Sequence, residues 1–374
     1  MKVLMFSTDV KILEEGSAVR TRMIEYGSLF EELSIILITS IGCEKLKYNI
    51  TDNTIVYPTD SSNKLSAFFT AYKIALTVVA AWNPFGFGKD DWNTHVITSQ
   101  DPFETGLVGL LVAKKFGVRL NTQIHTDFLD PFFLKEHLLN VLRMYIARYV
   151  LLRSDTIRVV SNRIYASLVK NPRFNVLEKK ISILPIWVDR VRYTEAQIKV
   201  DLHKKYSQFE RIILIASRIT KEKNIPFSLV VFKGVVELFP KTGLVIVGKG
   251  VECDNIKQIA KKLSIDSSVV FEGWSNDLVS YYKSSDMFLV SSLYEGYGMT
   301  IVEAIASGTP VVSTDVGIAR EVMPDWAIYQ QGDAKACIQI IKRLFNSGGY
   351  DIRPIPIQTK QEYLELYKKF LSVA

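Results

Sequence analysis

The chain reads as an α/β protein of doubly wound parallel sheets with helices on both faces, and two observations predict that class. Short apolar runs alternate with segments of helical periodicity from the N-terminus onward, the pattern that βαβ units produce. After a polar, charged interval near 190–208 the alternation starts again at Arg211–Ala216, so the 374 residues are expected to form two domains with separate cores. An apolar share of 48% and a charged share of 23% are those of an ordinary soluble globular protein.

Taken in order, Val3 to Phe6 is the first strand; it is followed at once by Ser7-Thr8-Asp9, so it lacks the length of a signal-peptide core. Further strands are expected at Ile35 to Ile38, Thr54 to Tyr57, His95 to Thr98, Leu120 to Gln123, Thr156 to Val160 and Ile181 to Leu184. The loop Thr8 to Ser17 leads into a helix carrying Val19, Met23, Leu29 and Phe30. Residues 65–82 approach membrane-spanning length, but Lys73 interrupts them and Phe68, Tyr72, Ala75, Val79 and Trp82 recur at helical spacing, which predicts a helix packed on the sheet. The turn Pro84 to Lys89 either buries one ring or offers Phe85 and Phe87 to a lipid surface. Pro131 to Leu152 reads as one long helix whose stripe of Leu138, Leu142, Tyr145 and Tyr149 is expected to face the core, with Arg143 and Arg148 away from it.

Charge and cysteine content narrow the setting. The net charge is +7, and residues 141–190 hold ten basic side chains against three acidic ones, 10 − 3 = +7, so this block carries the whole excess. Such a block is either a solvated basic face or a contact for an anionic membrane surface. Cys43, Cys253 and Cys337 are scattered, without disulfide or zinc spacing, which points to a reducing cytosol.

The most informative stretch runs from Ser292 to Thr314. The apolar run Met287–Val290 leads to Glu295, a glycine-bearing turn with Gly296 and Gly298, and then a helix with Met299, Val302, Ile305 and Ala306 on one face. A helix that starts after small residues aims unpaired N–H groups and the positive end of its dipole at an anion such as a diphosphate. Glu295 and Glu303 could each accept hydrogen bonds from sugar or ribose hydroxyls, although the spacing alone also fits a helix-cap glutamate beside an ordinary surface one. Upstream, Arg218 and Lys223 follow a strand end and precede a helix, where a forked donor and a point charge suit a diphosphate. Gly248 and Gly250 begin a dinucleotide fingerprint, but Cys253 occupies its third glycine position, so a nicotinamide-cofactor reading fails.

Glu295, Glu303, Ala304, Gly308, Pro310 and Val311-Val312 together closely resemble the donor site of retaining GT-B glycosyltransferases of glycosyltransferase family four. The resemblance covers nearly the whole chain, with its specific motifs after Arg211. It implies GT-B architecture: two Rossmann-like domains facing a cleft, residues 1–190 on the acceptor side, a linker at 191–208, a nucleotide-sugar domain at 209–357, and a last helix within 358–374 packing back on the first domain. Arg218 and Lys223 match the family's diphosphate-binding Arg-x4-Lys pair. His125, at a predicted strand end, matches a histidine that meets a donor-sugar hydroxyl, while Asp127 either orients an acceptor hydroxyl or caps the next segment. Gly16-Ser17 stands where the family carries two glycines, with Ser17 still able to cap a helix and keep its N–H available. Gly273 and Trp274 would meet the nucleobase through the backbone. Ile186-Trp187 replaces the family's usual Asn-Gly before Val188-Asp189.

The function implied is retaining transfer of a sugar from a nucleoside-diphosphate sugar to a glycan or lipid-linked acceptor. Arg218, Lys223 and the Gly298, Met299 and Thr300 helix start would hold the leaving diphosphate, Glu295 the sugar and Glu303 the ribose, with Gly296 and Tyr297 in the connecting loop. The chain has no Asp-x-Asp motif and its four histidines do not pair, so neither metal nor cofactor is expected, nor a nucleic-acid partner. A cytoplasmic protein, peripheral on the inner face of the membrane, fits this reading. A GT-B epimerase, a phosphorylase and a non-catalytic sugar-nucleotide binder are the competing readings, separable by free-donor isomerisation, phosphate dependence and absence of turnover.

Overall fold

A computed structural model describes residues 1–40, 42–43, 46–82, 94–347 and 359–372. The chain divides into an N-terminal unit, Met1–Pro185 with Gln358–Ala374, and a C-terminal unit, Ile186–Ile357. The Phe85/Phe87 turn lies outside the described residues, and no described helix is long and apolar enough to cross a membrane.

In the N-terminal unit, β1 (Lys2–Ser7), β2 (Glu32–Leu37), β3 (Tyr48–Asn49), β4 (Thr54–Pro58), β5 (Val96–Ser99), β6 (Arg119–Ile124), β7 (Thr156–Val159) and β8 (Ile181–Ile183) form one sheet in the order β3-β4-β2-β1-β5-β6-β7-β8. All its pairings are parallel except β3 with β4. Val3, Leu4, Met5 and Phe6 are fully buried, as expected of a central strand covered by helices on both faces. Helices α1 (Ala18–Gly27), α2 (Lys64–Ala80) and α3 (Glu104–Phe116) connect the early strands. The face of α2 carrying Ala67, Ala71, Ala75 and Val79 is buried among Leu4, Ile36 and Ile97, which bears out a helix packed on the sheet. Gly117, at φ 72°, ends α3 in the left-handed region, where glycine carries no steric cost.

Two expectations about the next segment fail. Pro131 to Leu152 is not one helix but two, α4 (Pro131–Glu136) and α5 (Leu138–Leu151). The break is His137, in extended conformation, whose Nδ1 accepts the Leu139 N–H at 3.2 Å and so caps α5. The stripe expected in the core points outward: Leu138 is 91% exposed, Leu142 56% and Tyr145 59%, whereas Asn140, Ala147, Val150 and Leu151 face inward. After α6 (Asn162–Lys170), the basic block also proves divided. Arg158 on β7 is 1% exposed, inside the unit.

Arg158 organises the far edge of the sheet. Its guanidinium donates to Gln123 Oε1 at 2.8 Å, to the Leu184 and Pro185 carbonyls at 2.9 Å each, and to the Tyr363 hydroxyl at 2.9 Å. Tyr363 belongs to the C-terminal helix Lys360–Ser372, whose Tyr367 ring stacks on Tyr26 of α1 with centroids 4.0 Å apart. The last helix is therefore held in the N-terminal unit through a buried cation and three tyrosines.

The C-terminal unit opens with α7 (Arg190–Glu195) and α8 (Leu202–Lys205), so the interval read as a linker contains two helices of this unit. Lys283 Nζ donates to the carbonyls of Thr194 and Ala196 at 2.7 and 2.6 Å and ties that interval down. The strands β9 (Arg211–Ala216), β10 (Thr242–Val247), β11 (Val269–Gly273), β12 (Met287–Val290), β13 (Val311–Thr314) and β14 (Ile328–Tyr329) form an all-parallel sheet ordered β11-β10-β9-β12-β13-β14. They alternate with α9 (Ile225–Leu238), α10 (Cys253–Lys262), α11 (Leu278–Lys283), α12 (Met299–Ala306), α13 (Ala319–Val322) and α14 (Ala334–Ser347). Ile213, Leu244, Ile246 and Leu289 carry the core under α9 and α14.

Candidate functional site

The carboxyl ends of β9 and β12 bring the second-half motifs together, as expected where a doubly wound sheet reverses its order. Lys223 Nζ lies 2.6 Å from Glu295 Oε1, and Ser292 Oγ donates to the same oxygen at 2.8 Å. Both charged side chains are about as buried, 14% and 15% exposed. They line a small cavity with Ser217, Ser291, Ser292 and Thr300. Lys223 ends a short turn whose next residue, Asn224, adopts φ 49°, a conformation that asparagine tolerates better than most residues. The turn is fixed by Ser291, whose hydroxyl lies 2.8 Å from the Lys223 carbonyl and 2.7 Å from Ser228 Oγ.

Arg218 stands differently. Its side chain is 71% exposed and reaches Glu222 Oε1 at 3.2 Å, while Thr220 Oγ1 donates to that oxygen at 2.6 Å. Gly248 and Gly250 explain where the Arg218 loop sits. A Cβ on Gly248 would come within 1.8 Å of the Ser217 carbonyl oxygen, and one on Gly250 within 2.1 Å of that of Ile219. Ser217 and Ile219 donate their N–H groups to Val247 and Lys249. These glycines admit the backbone on either side of Arg218, a use that the failed dinucleotide fingerprint left without a reading.

Gly298, at φ 89°, turns the chain into α12, so Met299 and Thr300 occupy the first turn, where N–H groups lack partners within the helix. The loop before it is clamped by Gly317, where an added Cβ would lie 2.3 Å from the Tyr297 carbonyl oxygen, and by the Ile318 N–H on that same oxygen at 3.0 Å. Tyr297 is buried, and Gly296 sits between it and Glu295. Glu303 does not line the Lys223–Glu295 cavity. The Tyr282 hydroxyl donates to its Oε2 at 3.3 Å, and Tyr193 of α7 hydrogen-bonds it as well. Burial raises the Glu303 pKa, opposed by the two tyrosines and by Arg192. Gly273, at φ 75°, ends β11 beside the half-exposed Trp274.

The N-terminal unit has its own cluster at the carboxyl ends of β5 and β6. His125 Nε2 lies 3.1 Å from Gln100 Oε1, and Gln100 Nε2 is buried without a hydrogen-bond partner among the described residues. Burial, with Arg158 and Arg22 nearby, pulls the His125 pKa down to about 3, so the imidazole is neutral at physiological pH. Asp127 accepts from the Leu129 N–H at 3.1 Å and from Ser167 Oγ at 2.9 Å, which is the capping alternative. Gly16 has open space around it at φ 76°, and Ser17 caps α1 through the Arg20 N–H at 3.0 Å. The Ser17 N–H, expected to remain available, instead donates to the Glu14 carbonyl at 3.3 Å.

Beside this cluster, burial pushes Asp101 up to about 6 from its ordinary value of 3.8, against hydrogen bonds from Phe103 and Thr105. The folded carboxyl holds its proton more tightly than the unfolded one, so this stabilisation is complete only below the unfolded value of 3.8 and is lost as pH rises to and through about 6. In denaturant melts, Asp101→Asn should gain about 2 kcal/mol on wild type between pH 4 and pH 7.5. A pH-independent difference would refute the shift.

Residues 201–360 match the family model described as glycosyl transferases group 1. That match spans most of the C-terminal unit and less than half of the chain. The chain is 29% identical over 254 residues to the alpha-monoglucosyldiacylglycerol synthase of Streptococcus pneumoniae, covering 61% of this chain and 54% of that protein. It is 31% identical over 180 residues to the N-acetyl-alpha-D-glucosaminyl L-malate synthase of Bacillus anthracis, covering 47% and 45%. It thus spans about half the length of the curated relatives it matches. Among solved structures, Anabaena HepE in complex with UDP and glucose superposes with a TM-score of 0.70 at 15% identity, covering 100% of this chain and 94% of HepE. Sucrose-phosphate synthase from Thermosynechococcus elongatus gives 0.73 at 16%, covering 93% and 90%. These likenesses establish the GT-B fold across both units. Sequence reasoning missed Ser291, Gly317, Tyr193 and Gln100, and gave Ser292 no role of its own. Only the serines had a local signal, as hydroxyls directly after a buried strand.

Proposed function

We propose that the protein is a retaining glycosyltransferase that moves a sugar from a nucleoside-diphosphate sugar to a glycan or lipid-linked acceptor. The carrying observation is the Lys223–Glu295 pair at the strand ends beside the α12 N-terminus. As the bond from the sugar anomeric carbon to the diphosphate oxygen breaks, negative charge builds on the departing phosphate, and preorganised donors lower the barrier there. Lys223, Arg218 and the first N–H groups of α12 are such donors. Without ligand, Lys223 and Glu295 satisfy each other; a diphosphate would take over Lys223 and release Glu295 to the sugar hydroxyls. Glu303, already accepting from Tyr193 and Tyr282, is suited to ribose hydroxyls, and the backbone near Gly273 and Trp274 to the base. Neutral His125 would serve as a hydrogen-bonding group for a sugar hydroxyl rather than as an acid. In a front-face displacement the acceptor oxygen bonds to the anomeric carbon on the side that the diphosphate leaves, and its proton passes to the departing phosphate oxygen.

HepE in complex with UDP and glucose makes UDP-sugars the first donors to try, and the diacylglycerol named in the pneumococcal relative favours a lipid-linked acceptor. The test is nucleoside-diphosphate release from UDP-, GDP- and ADP-sugars with and without lipid acceptor. Acceptor-dependent release, unchanged by EDTA and giving an α-linked product from an α-linked donor, is expected. Loss of activity on chelation would remove metal independence. Donor isomerisation without acceptor would identify an epimerase, and binding without turnover a non-catalytic sugar-nucleotide protein.

A further inference from the structure

The outward face of α5 plays no part in the donor chemistry. On a helix advancing about 100° per residue, Leu138, Leu142, Tyr145 and Tyr149 fall on one line, opposite the buried Asn140 and Ala147. Val141 and Leu139 flank the line, 44% and 48% exposed. A continuous apolar stripe on the outside of a folded unit marks a contact surface, since isolated exposed leucines are ordinary but a whole helix face is not.

The charge around the stripe indicates what covers it. Between Leu138 and Leu151 there is no acidic residue, and Arg143 is already paired with Glu104 at 2.8 Å. The Tyr149 ring carries Arg153 at 3.9 Å and Lys114 at 5.5 Å from its centroid. At the stripe's edge a cavity of about 160 Å³ is lined by Met144, Tyr145, Arg148, Arg173 and Phe174, with Arg148 Nε donating to the Arg173 carbonyl at 3.4 Å. Two exposed arginines over an apolar floor fit a phosphate joined to a hydrocarbon, which is the chemistry of a phospholipid headgroup. An apolar protein partner would cover the stripe but leave these cations unmatched.

We propose that α5 is a membrane-docking element. It lies in the plane of an anionic bilayer with Leu138, Leu142 and Tyr145 among the upper acyl chains, and Arg148 and Arg173 hold a lipid phosphate. The long basic side chains reach the headgroup layer while their stems lie along the apolar surface. This surface belongs to the N-terminal unit and stands whether or not the donor reading holds.

The test is cosedimentation with vesicles of phosphatidylglycerol and phosphatidylcholine, against pure phosphatidylcholine. Wild type should pellet with the anionic vesicles only, less so at high salt. Leu138→Ser/Leu142→Ser and Arg148→Glu/Arg173→Glu should each weaken partitioning about tenfold or more. All four positions are exposed, so thermal unfolding and nucleoside-diphosphate binding should match wild type and exclude misfolding. Wild type remaining in the supernatant with anionic vesicles would overturn the proposal, as would leucine variants that bind like wild type. A soluble dimer lost in the leucine variants, without vesicle binding, would assign the stripe to a second copy of the chain instead.

Discussion

Arg218→Ala is expected to lower sugar transfer by about two to three orders of magnitude, the usual cost of removing one preorganised donor from a developing anion. The structure makes this variant unusually clean. The Arg218 side chain is largely exposed and its ion-pair partner Glu222 keeps a hydrogen bond from Thr220, so unfolding free energy should stay within about 0.5 kcal/mol of wild type. Loss of rate without loss of stability then reports chemistry. Lys223→Ala should reduce rate similarly but also take from Glu295, a mostly buried carboxylate, its charged partner, leaving the Ser292 hydroxyl among the described residues, and so cost stability too. Near-normal turnover by Arg218→Ala would remove it from the diphosphate site.

The second large effect concerns folding. Arg158→Ala should destabilise the N-terminal unit by about 3–5 kcal/mol, because it empties a buried guanidinium site and leaves the Gln123, Leu184, Pro185 and Tyr363 oxygens without their donor. In a unit of this size the unfolding midpoint should fall by about 10 °C. Hydrogen exchange should show the C-terminal helix loosening first, since Tyr363 loses its tie to β7. A loss under about 1 kcal/mol would mean that the helix's other ties, the tyrosine stack, the Gln123 bond to Tyr367 and the Lys360–Glu25 pair among them, suffice to hold it.

What was legible in the sequence follows from where each signal resides. Strands such as Ile212–Ile215 and Leu244–Val247 are continuous apolar runs because both sheet faces are covered, and that information is local. The Glu295 to Thr314 stretch was readable because glycine at a positive φ and a helix start leave a local trace at Gly298. Arg158 was not, since its burial depends on Tyr363, 205 residues away in sequence. Ser17 looked able to offer its N–H because a turn bond to Glu14 has no sequence signature. The α5 stripe shows a limit of a different kind. Periodicity reveals that a helix has an apolar face but not whether this chain or something outside it provides the cover, and here α5 turns Leu138 and Leu142 outward.

The most direct measurement is calorimetric titration of wild type and of the Arg218→Ala/Lys223→Ala variant with a nucleoside diphosphate and its monophosphate. If two cations and a helix end grip the second phosphate, wild type should favour the diphosphate by about a hundredfold, the worth of two charge-assisted hydrogen bonds. The variant should bind both nucleotides almost equally. A preference for the diphosphate that survives loss of both cations would place the phosphate-binding groups elsewhere and contradict the proposed site.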